Sequence, residues 1–550
     1  MKLRYFLLPV LLLCNISSSY ATSYFRNFVV GNFYFGADSC GTRINCAITV
    51  ENNKIVFAGH SNCNNQGNIP AAATQQKGSN IIVGKLDNQY NIIWMKVFGG
   101  DDSLTEQAKA ICATKDGGYA IVSTTSSTNG SITSYFGADD IWLIKLDSGG
   151  NKIFQRNIGS TGDDRAISIT ETATGDLLIL GASNGSDGDI SSHYGGTNTN
   201  DWILIKADSA GVLKWVKTIG GTGDEGTEGS VLAADTNYYI ISGSNSTDYD
   251  CNDTSWFDTA QTGYNYHLLK LDSAGAVTWD RSYGGSDTDK AVAAIFTKSG
   301  NIMITGYTKS VDSMIHDNKY AFKTGWLVHV KPNGDTIYTR STNQFQNNSY
   351  GTGSALCNEN TNTHITGPPD VAILCEGGNR TTAQNINISY IDGWWYDHSY
   401  TAKETGTKNE DWAGAIVSVG DRMYAIAGSS IKTDTSSMAD SRLLNTGDTG
   451  VIYIINYGWY GAVQDINNNK TELTAYPNPA DDMVYIQLPA NAPEGAMMVV
   501  NSMGQEIYKS KTLRNSTEQK IDVSSWAAGW YYVLFSASDG QQAISRFVVQ

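Results

Sequence analysis

Five aspartates in this 550-residue chain stand where oxygen ligands could gather: Asp163 and Asp164 in GSTGDD, Asp187 and Asp189 in SNGSDGD, and Asp224 in GGTGDE. Carboxylates on glycine-rich loops suit calcium, which takes about six to eight oxygen ligands. DYDCND (248–253) starts like an EF-hand loop, but Asp253 fills its glycine position and Thr259 stands where a bidentate glutamate is needed. The same residue types satisfy turn backbones, and that use is favoured. Calcium is the one cofactor these loops suggest. Aromatic candidates for stacking on sugar or peptide are Trp256, Phe257 and Tyr264, with Trp394, Trp395 and Tyr396. Packing between repeats competes for each of them.

Catalytic motifs fare worse. GASNG (181–185) matches G-x-S-x-G, but loop residues follow where a nucleophile elbow needs a helix. GTGDEG (221–226) matches G-x-G-x-x-G without the βαβ unit that a dinucleotide site requires. The seven histidines form no HExxH, and no CxxC suggests zinc. Acids from distant segments can still converge without a local signature. No residue is assigned a catalytic role.

The elements that would position these residues are short strands. Apolar runs are brief and turn-bounded, with 56 Gly, 9 Pro, 13 Trp and 30 Tyr. That pattern predicts an all-β protein. The net charge of −16 disfavours nucleic acid and anionic membrane as partners. Lys2 and Arg4, the apolar stretch 5–13 and Ser19-Tyr20-Ala21 predict a signal peptide over residues 1–21. The apolar stretch is too short to span a bilayer, and no later segment qualifies. Seven cysteines follow it. Export permits disulfides, with Cys357 and Cys375 the first candidate pair, and the odd total leaves a free thiol. Cys112, within AICAT, is expected in the core.

One sentence then repeats. IIVGKLD, IWLIKLD, WILIKAD and HLLKLD end at Asp87, Asp147, Asp208 and Asp272; weaker copies end at Lys331, Asp392 and Asn456, at intervals of 59 to 64 residues. Each copy continues with a turn such as DSAG, a strand bearing Trp94, Phe154, Trp215 or Trp279, an acidic glycine loop, and two more strands. A four-stranded meander cannot bury both faces alone, so the copies must stack. Radial stacking gives a β-propeller over residues 22–462, with seven blades favoured and six or eight compatible. A linear solenoid is the alternative. CAITVENNKIVFAGH and VIYIINYG, from opposite ends, are expected to complete one composite blade. Lys85, Lys145, Lys206 and Lys270 share one repeat position. They would form a basic ring if their strand lined the channel, or, as favoured, pair with acidic loops of neighbouring blades.

These repeats resemble those of secreted propeller proteins of the Bacteroidetes, through the W-[IL]-[LI]-[IL]-K-[LA]-D strand and the GG-x-G-D-D loop; that resemblance constrains architecture more than function. WILIKADSAGVLKW (202–215) also has the A-x-D-x-x-x-G-x-x-x-W spacing of quinone-binding propellers. Its recurrence at blade spacing and the lack of a Cys-Cys pair favour a structural hairpin.

After the linker 463–472, residues 473–550 change grammar to alternating strands, predicting a small Ig-like β-sandwich. YPNPA, GWYYVLF and the terminal SRFVVQ resemble the type A C-terminal sorting domain of the type IX secretion system. The residues carrying the resemblance are Tyr476, Pro477, Asn478, Pro479, Gly529, Tyr531, Arg546, Val548 and Val549. The resemblance implies passage through the periplasm, recognition by the type IX machinery, tail removal, and release or anchoring at the outer-membrane surface. The expected function is a secreted binding or adhesion module for glycans or surface proteins, more non-enzymatic than enzymatic. A propeller glycoside hydrolase or polysaccharide lyase is the first alternative, and a scaffold without a ligand the second.

Overall fold

Seven meanders of four antiparallel strands account for the sheets of residues 25–459. The computed structural model describes residues 25–35, 41–63, 69–70, 78–100, 106–129, 132, 134–253, 263–315 and 323–341. It further describes the strands between 350 and 459, and 471–488, 494–501, 506–513, 516–537 and 542–549. For 25–35 and for 350–459, apart from 415–418, only the backbone enters. Residues 1–24 lie outside the described residues, and with them the expected signal peptide. The contacts divide the chain into a unit Phe25–Gly458 and a second unit that takes in Trp459–Gln550.

In the third blade the strands are Asp164–Glu171, Leu177–Ser183, Asp201–Ala207 and Leu213–Ile219, in that order across the sheet. The inner strands of the other blades are Thr42–Val50, Glu106–Ala113, Glu225–Ala234, Asp289–Phe296, Tyr350–Asn358 and Asp411–Gly420. Each packs beside its neighbours, and the seventh packs beside the first. Among the described residues this closes a ring of seven sheets.

Ring closure differs from the expected composite. CAITVENNKIVFAGH forms the inner pair of the first blade, with Asn80–Leu86 and Ile92–Phe98 completing it. VIYIINYG belongs to Asp448–Trp459 of the seventh blade, whose outer place is taken by the N-terminal strand Phe25–Phe35. The KLD strand is the third of each blade, so the acidic loop is the crossing from one blade to the next. At the closing seam Thr49 Oγ1 donates to Ser418 O at 2.5 Å.

The core sits between blades. One apolar cluster joins Leu178, Leu180, Trp202 and Leu204 of the third blade to Val231, Tyr238, Ile240 and Leu269 of the fourth. Equivalent clusters occupy the neighbouring seams. Third strands such as DWILIKA are buried along their whole length, because each faces two seams. Outer strands such as LKWVKTI are only partly buried, with Lys214 and Lys217 exposed.

Trp215 now has a definite task. Gly275, at φ +81°, leaves room for the Trp215 ring of the preceding blade, which a Cβ would approach to 3.0 Å. Gly150 and Gly211 receive Trp94 and Phe154 in the same way. Each Asp-to-Gly hairpin thus accepts the aromatic residue of one blade while its own aromatic residue covers the next.

The repeated lysines lie on third strands, away from the axis. Lys145 Nζ meets Asp116 at 2.8 Å, in the inner hairpin of its own blade. Lys206 lies 3.3 Å from Asp176 of its own blade and donates to Tyr238 Oη of the next at 2.8 Å. Both the basic ring and pairing with a neighbour's acidic loop are therefore replaced by pairing within the blade.

Cys63 is disulfide-bonded, whereas Cys46, Cys112 and Cys251 are thiols. Burial pushes Cys46 and Cys112 up to about 12, so neither is a reactive thiolate. The Cys357–Cys375 pairing is corrected by register. Cys357 stands opposite Ala372 and Cys375 opposite Gly353, which separates them by about 10 Å along the strands, beyond disulfide reach. Non-reducing peptide mapping is expected to recover Cys63 in a cross-linked peptide, with Cys46, Cys112 and Cys251 alkylated only after denaturation.

The second unit is a sandwich. Thr474–Tyr476, Met483–Gln487 and Glu518–Asp522 make one sheet. Thr471–Glu472, Gln542–Val549, Gly529–Ala537, Gly495–Asn501 and Glu506–Thr512 make the other, in that order. Val484, Ile486, Met497, Val499, Val533, Phe535 and Phe547 fill the space between them.

Candidate functional site at the channel mouth

Each crossing loop is held by a repeated set of bonds. The first amide of an inner strand donates to the carbonyl just before the preceding third strand: Asp164 N to Asp139 O at 2.7 Å, and Glu225 N to Asn200 O at 2.9 Å. The side chains at these entries, Asp139, Asn200 and Tyr264, therefore come beside the next blade on the face where the crossings lie. The second positions of the inner strands supply Arg43, Gln107, Arg165 and Lys290 to the same face.

The candidate metal ligands are engaged in this scaffold. Asp164 is buried and accepts from Ser160 N at 2.5 Å and Ser160 Oγ at 2.9 Å; burial pushes it up to about 6. Asp187 accepts from Thr161 N at 2.7 Å and Thr161 Oγ1 at 2.8 Å, and these bonds hold its carboxyl low. Asp248 and Asp312 cap Thr222 and Ser286 in the same way in later blades. Asp163 lies 3.6 Å from Arg165, and Asp189, raised by burial, lies 3.9 Å from Arg156. Asp224 accepts from Asn200 N at 2.8 Å and Nδ2 at 2.9 Å, and from the Tyr264 phenol. Among the described residues no three His, Cys, Asp or Glu side chains gather to hold a metal. These carboxylates cap loop amides or face arginines, the turn use that the sequence favours for them.

Tyr264 is the aromatic candidate that the structure places. Its hydroxyl donates to Asp224, and burial together with that bond raises its pKa. Lys290 Nζ sits 3.5 Å from the Tyr264 ring centroid, a cation–π contact across the fourth and fifth blades. Its stem crosses Gly243, whose Cβ would lie 3.1 Å from Lys290 Cγ. Lys323 Nζ lies 3.8 Å from the Tyr307 ring. Desolvation lowers the Lys290 pKa, partly offset by Asp224 and Glu228.

Desolvation lowers the ammonium of Lys109, on the second inner strand, as well, with Glu228 of the fourth opposing and Arg165 of the third adding to the effect. Trp256, Phe257, Trp394, Trp395 and Tyr396 lie outside the described residues.

Two further aromatic residues emerge from the loops between second and third strands. Tyr194 and Tyr249 stack with centroids 4.9 Å apart and an interplanar angle of 25°, and are 37% and 61% exposed. The sequence signal was available for Tyr249, which falls in the long insertion 246–266. Lys290 was masked by its neighbourhood, since GGSDTDK reads as a charged turn until the blade phase is known.

In the second unit the three tail motifs meet. Asn478 Oδ1 accepts from Val548 N at 3.0 Å, Asn478 Nδ2 donates to Arg546 O at 3.4 Å, and Ala480 N donates to Val548 O at 2.7 Å. Tyr531 of Gly529–Ala537 stacks on Phe547 at 5.8 Å and donates to Ala527 O at 2.7 Å. YPNPA is thereby docked onto the terminal strand, leaving Arg546 and much of Tyr476 exposed.

The family model of a secretion system C-terminal sorting domain matches residues 474–550. No curated protein matches the chain. Similar solved structures include a protein of unknown function from Dyadobacter fermentans DSM 18053, with TM-score 0.40 and 9% identity, over 78% of this chain and 99% of that one. An ulvan lyase has TM-score 0.38 and 11% identity, over 80% of this chain and 98% of its own. A subtype N11 neuraminidase-like protein of A/flat-faced bat/Peru/033/2010 has TM-score 0.35 and 10% identity, over 81% and 97%.

Proposed function

We propose, from the premise that residues 474–550 are a type IX secretion C-terminal sorting domain, that this tail delivers the propeller to the cell surface or medium, where the ring binds a glycan. The exposed Tyr194–Tyr249 stack carries this reading. Aromatic faces held rigidly on loops suit sugar rings, whose C–H faces pack on π surfaces while hydroxyls seek polar partners. Tyr264, Lys290 and Lys109 supply such partners on the crossing-loop face. Passage through the periplasm and attachment after tail removal belong to the same proposal, as does recognition by the secretion machinery.

The lowered Lys290 ammonium beside the Tyr264 phenol favours one second reading, proton transfer in a polysaccharide lyase. A glycan array and a polysaccharide-turnover screen on the secreted protein distinguish the two. Binding without turnover is expected. Tyr249→Ala should weaken that binding about thirtyfold, the scale of a lost aromatic anchor, with an unchanged melting temperature. Turnover abolished by Lys290→Ala would replace the binding reading with the lyase, and absence of both binding and turnover would leave a scaffold.

A further inference from the structure

At four seams the side chain that opens a third strand faces the acid that opens the next inner strand. Both crowd the first glycine of the crossing loop. A Cβ on Gly220 would lie 2.6 Å from Asp201 Oδ1 and 2.7 Å from Glu225 Oε2. Gly159 stands likewise between Asp140 Oδ1 and Asp164 Oδ2, Gly99 between Asn80 Oδ1 and Glu106 Oε2, and Gly284 between Asn265 Oδ1 and Asp289 Oδ2. All eight side chains are buried. Asn80 Oδ1, Asp140 Oδ1, Asp201 Oδ1, Glu225 Oε2 and Asn265 Oδ1 receive no donor.

Facing acceptors in a dry seam repel unless a hydrogen lies between them. At Asn265 the amide can supply it, because turning the amide end for end brings Nδ2 toward the acid; Asn80 Nδ2 donates instead to Gly78 O at 3.1 Å. Asp140 and Asp201 occupy the same repeat position and have no amide. Opposite Asp140 the facing Asp164 Oδ2 already accepts from Ser160 N and Oγ; between Asp201 and Glu225 the hydrogen must be an acid proton.

We propose that Asp201 and Glu225 share one proton at neutral pH, closing a seam that separates as the proton is lost. The other oxygens are already used: Asp201 Oδ2 accepts from Tyr194 N at 2.6 Å, and Glu225 Oε1 from Ser244 Oγ at 2.9 Å. The two oxygens left are too few for calcium. Charged and titratable groups around the pair are His193, 3.7 Å from Asp201 Oδ2, with Tyr194 from the third blade, Asp224 from the crossing, and Asp250, Cys251 and Tyr264 from the fourth.

Burial, then the Asp201 charge, push Glu225 up to about 9, against 4.5 in the unfolded chain. Burial likewise raises Asp201. The folded chain therefore holds a proton that the unfolded chain releases. The stability it contributes is full below the unfolded values and falls as pH rises toward about 9.

Asp201→Asn installs the amide that stands at the same position in Asn265. Glu225→Gln supplies the hydrogen from the other side, so one variant covers for the other if either folds poorly. Infrared spectra of the full chain at pH 7 should show a protonated-carboxyl band that each variant reduces. The melting temperature of each variant should rise relative to the parent as pH increases, by about 2–4 °C at pH 8.5. An unchanged band, or a melting difference independent of pH, would overturn the proposal. So would calcium raising the melting temperature of the parent but not of Asp201→Asn, which would put a metal between the oxygens.

Discussion

Deleting Ser545–Gln550 is expected to abolish surface delivery while leaving the propeller folded. The deletion removes Phe547, fully buried in the sandwich core, and the strand whose Val548 and Arg546 hold the YPNPA segment. Loss of a buried phenylalanine alone costs about 3–5 kcal/mol, comparable with the whole stability of a small domain. Asn478→Ala is the milder form: two hydrogen bonds to the terminal strand go, for about 1–2 kcal/mol. Fractionation with surface protease accessibility should then show full retention for the deletion and partial delivery for Asn478→Ala. Normal surface delivery of the deleted form would contradict a role for the docked motifs. The propeller unit has its own core, so its circular dichroism and melting should persist.

The largest expected stability effect is at Trp202. Its ring is fully buried and touches apolar residues of both the third and fourth blades, while Nε1 donates to Gly226 O of the fourth at 3.1 Å. Trp202→Ala should cost about 3–5 kcal/mol for the cavity, with about 1 kcal/mol more for the lost bond. Trp202→Phe refills most of the space and should lose chiefly the bond. Trp142 occupies the same repeat position, fully buried, with Nε1 lacking an acceptor. Trp142→Phe should therefore cost less than Trp202→Phe, in guanidinium unfolding of the two variants side by side. Equal losses would mean that the Gly226 contact contributes nothing. Because blades touch only their neighbours, the third and fourth should lose hydrogen-exchange protection first in Trp202→Ala.

Much of this architecture could be read from the chain. IWLIKLD and WILIKAD announce strands because their apolar runs are short and stop at Asp-to-Gly turns, and recurrence supplies the blade. Trp215 was recognisable as a packing residue from its copies. Cys112, expected in the core, is a partly buried thiol packed against it. The tail was legible because YPNPA and SRFVVQ are specific in type and order.

Phase was not legible. A unit that starts at the KLD strand and one that starts two strands earlier have the same periodicity, and only the edge at which the ring closes tells them apart. The choice moved Lys145 from an expected pair with a neighbouring blade's acidic loop to an intra-blade pair with Asp116. It also turned the acidic loops into blade crossings whose carboxylates cap neighbouring amides. Tyr264 could be singled out as an aromatic in a long insertion, but not its contact with Lys290, which belongs to the next blade.

The sequence by itself determined the all-β class, the repeated meander and the sorting tail, because strand alternation, turn chemistry and terminal motifs are properties of single segments. Only the tertiary structure decided the closing strand, the cross-blade aromatic and lysine contacts, and the acid pairs around Gly159 and Gly220. Those depend on which segments become neighbours when the ring closes, and buried charge acquires its protonation state from neighbours that local sequence does not name.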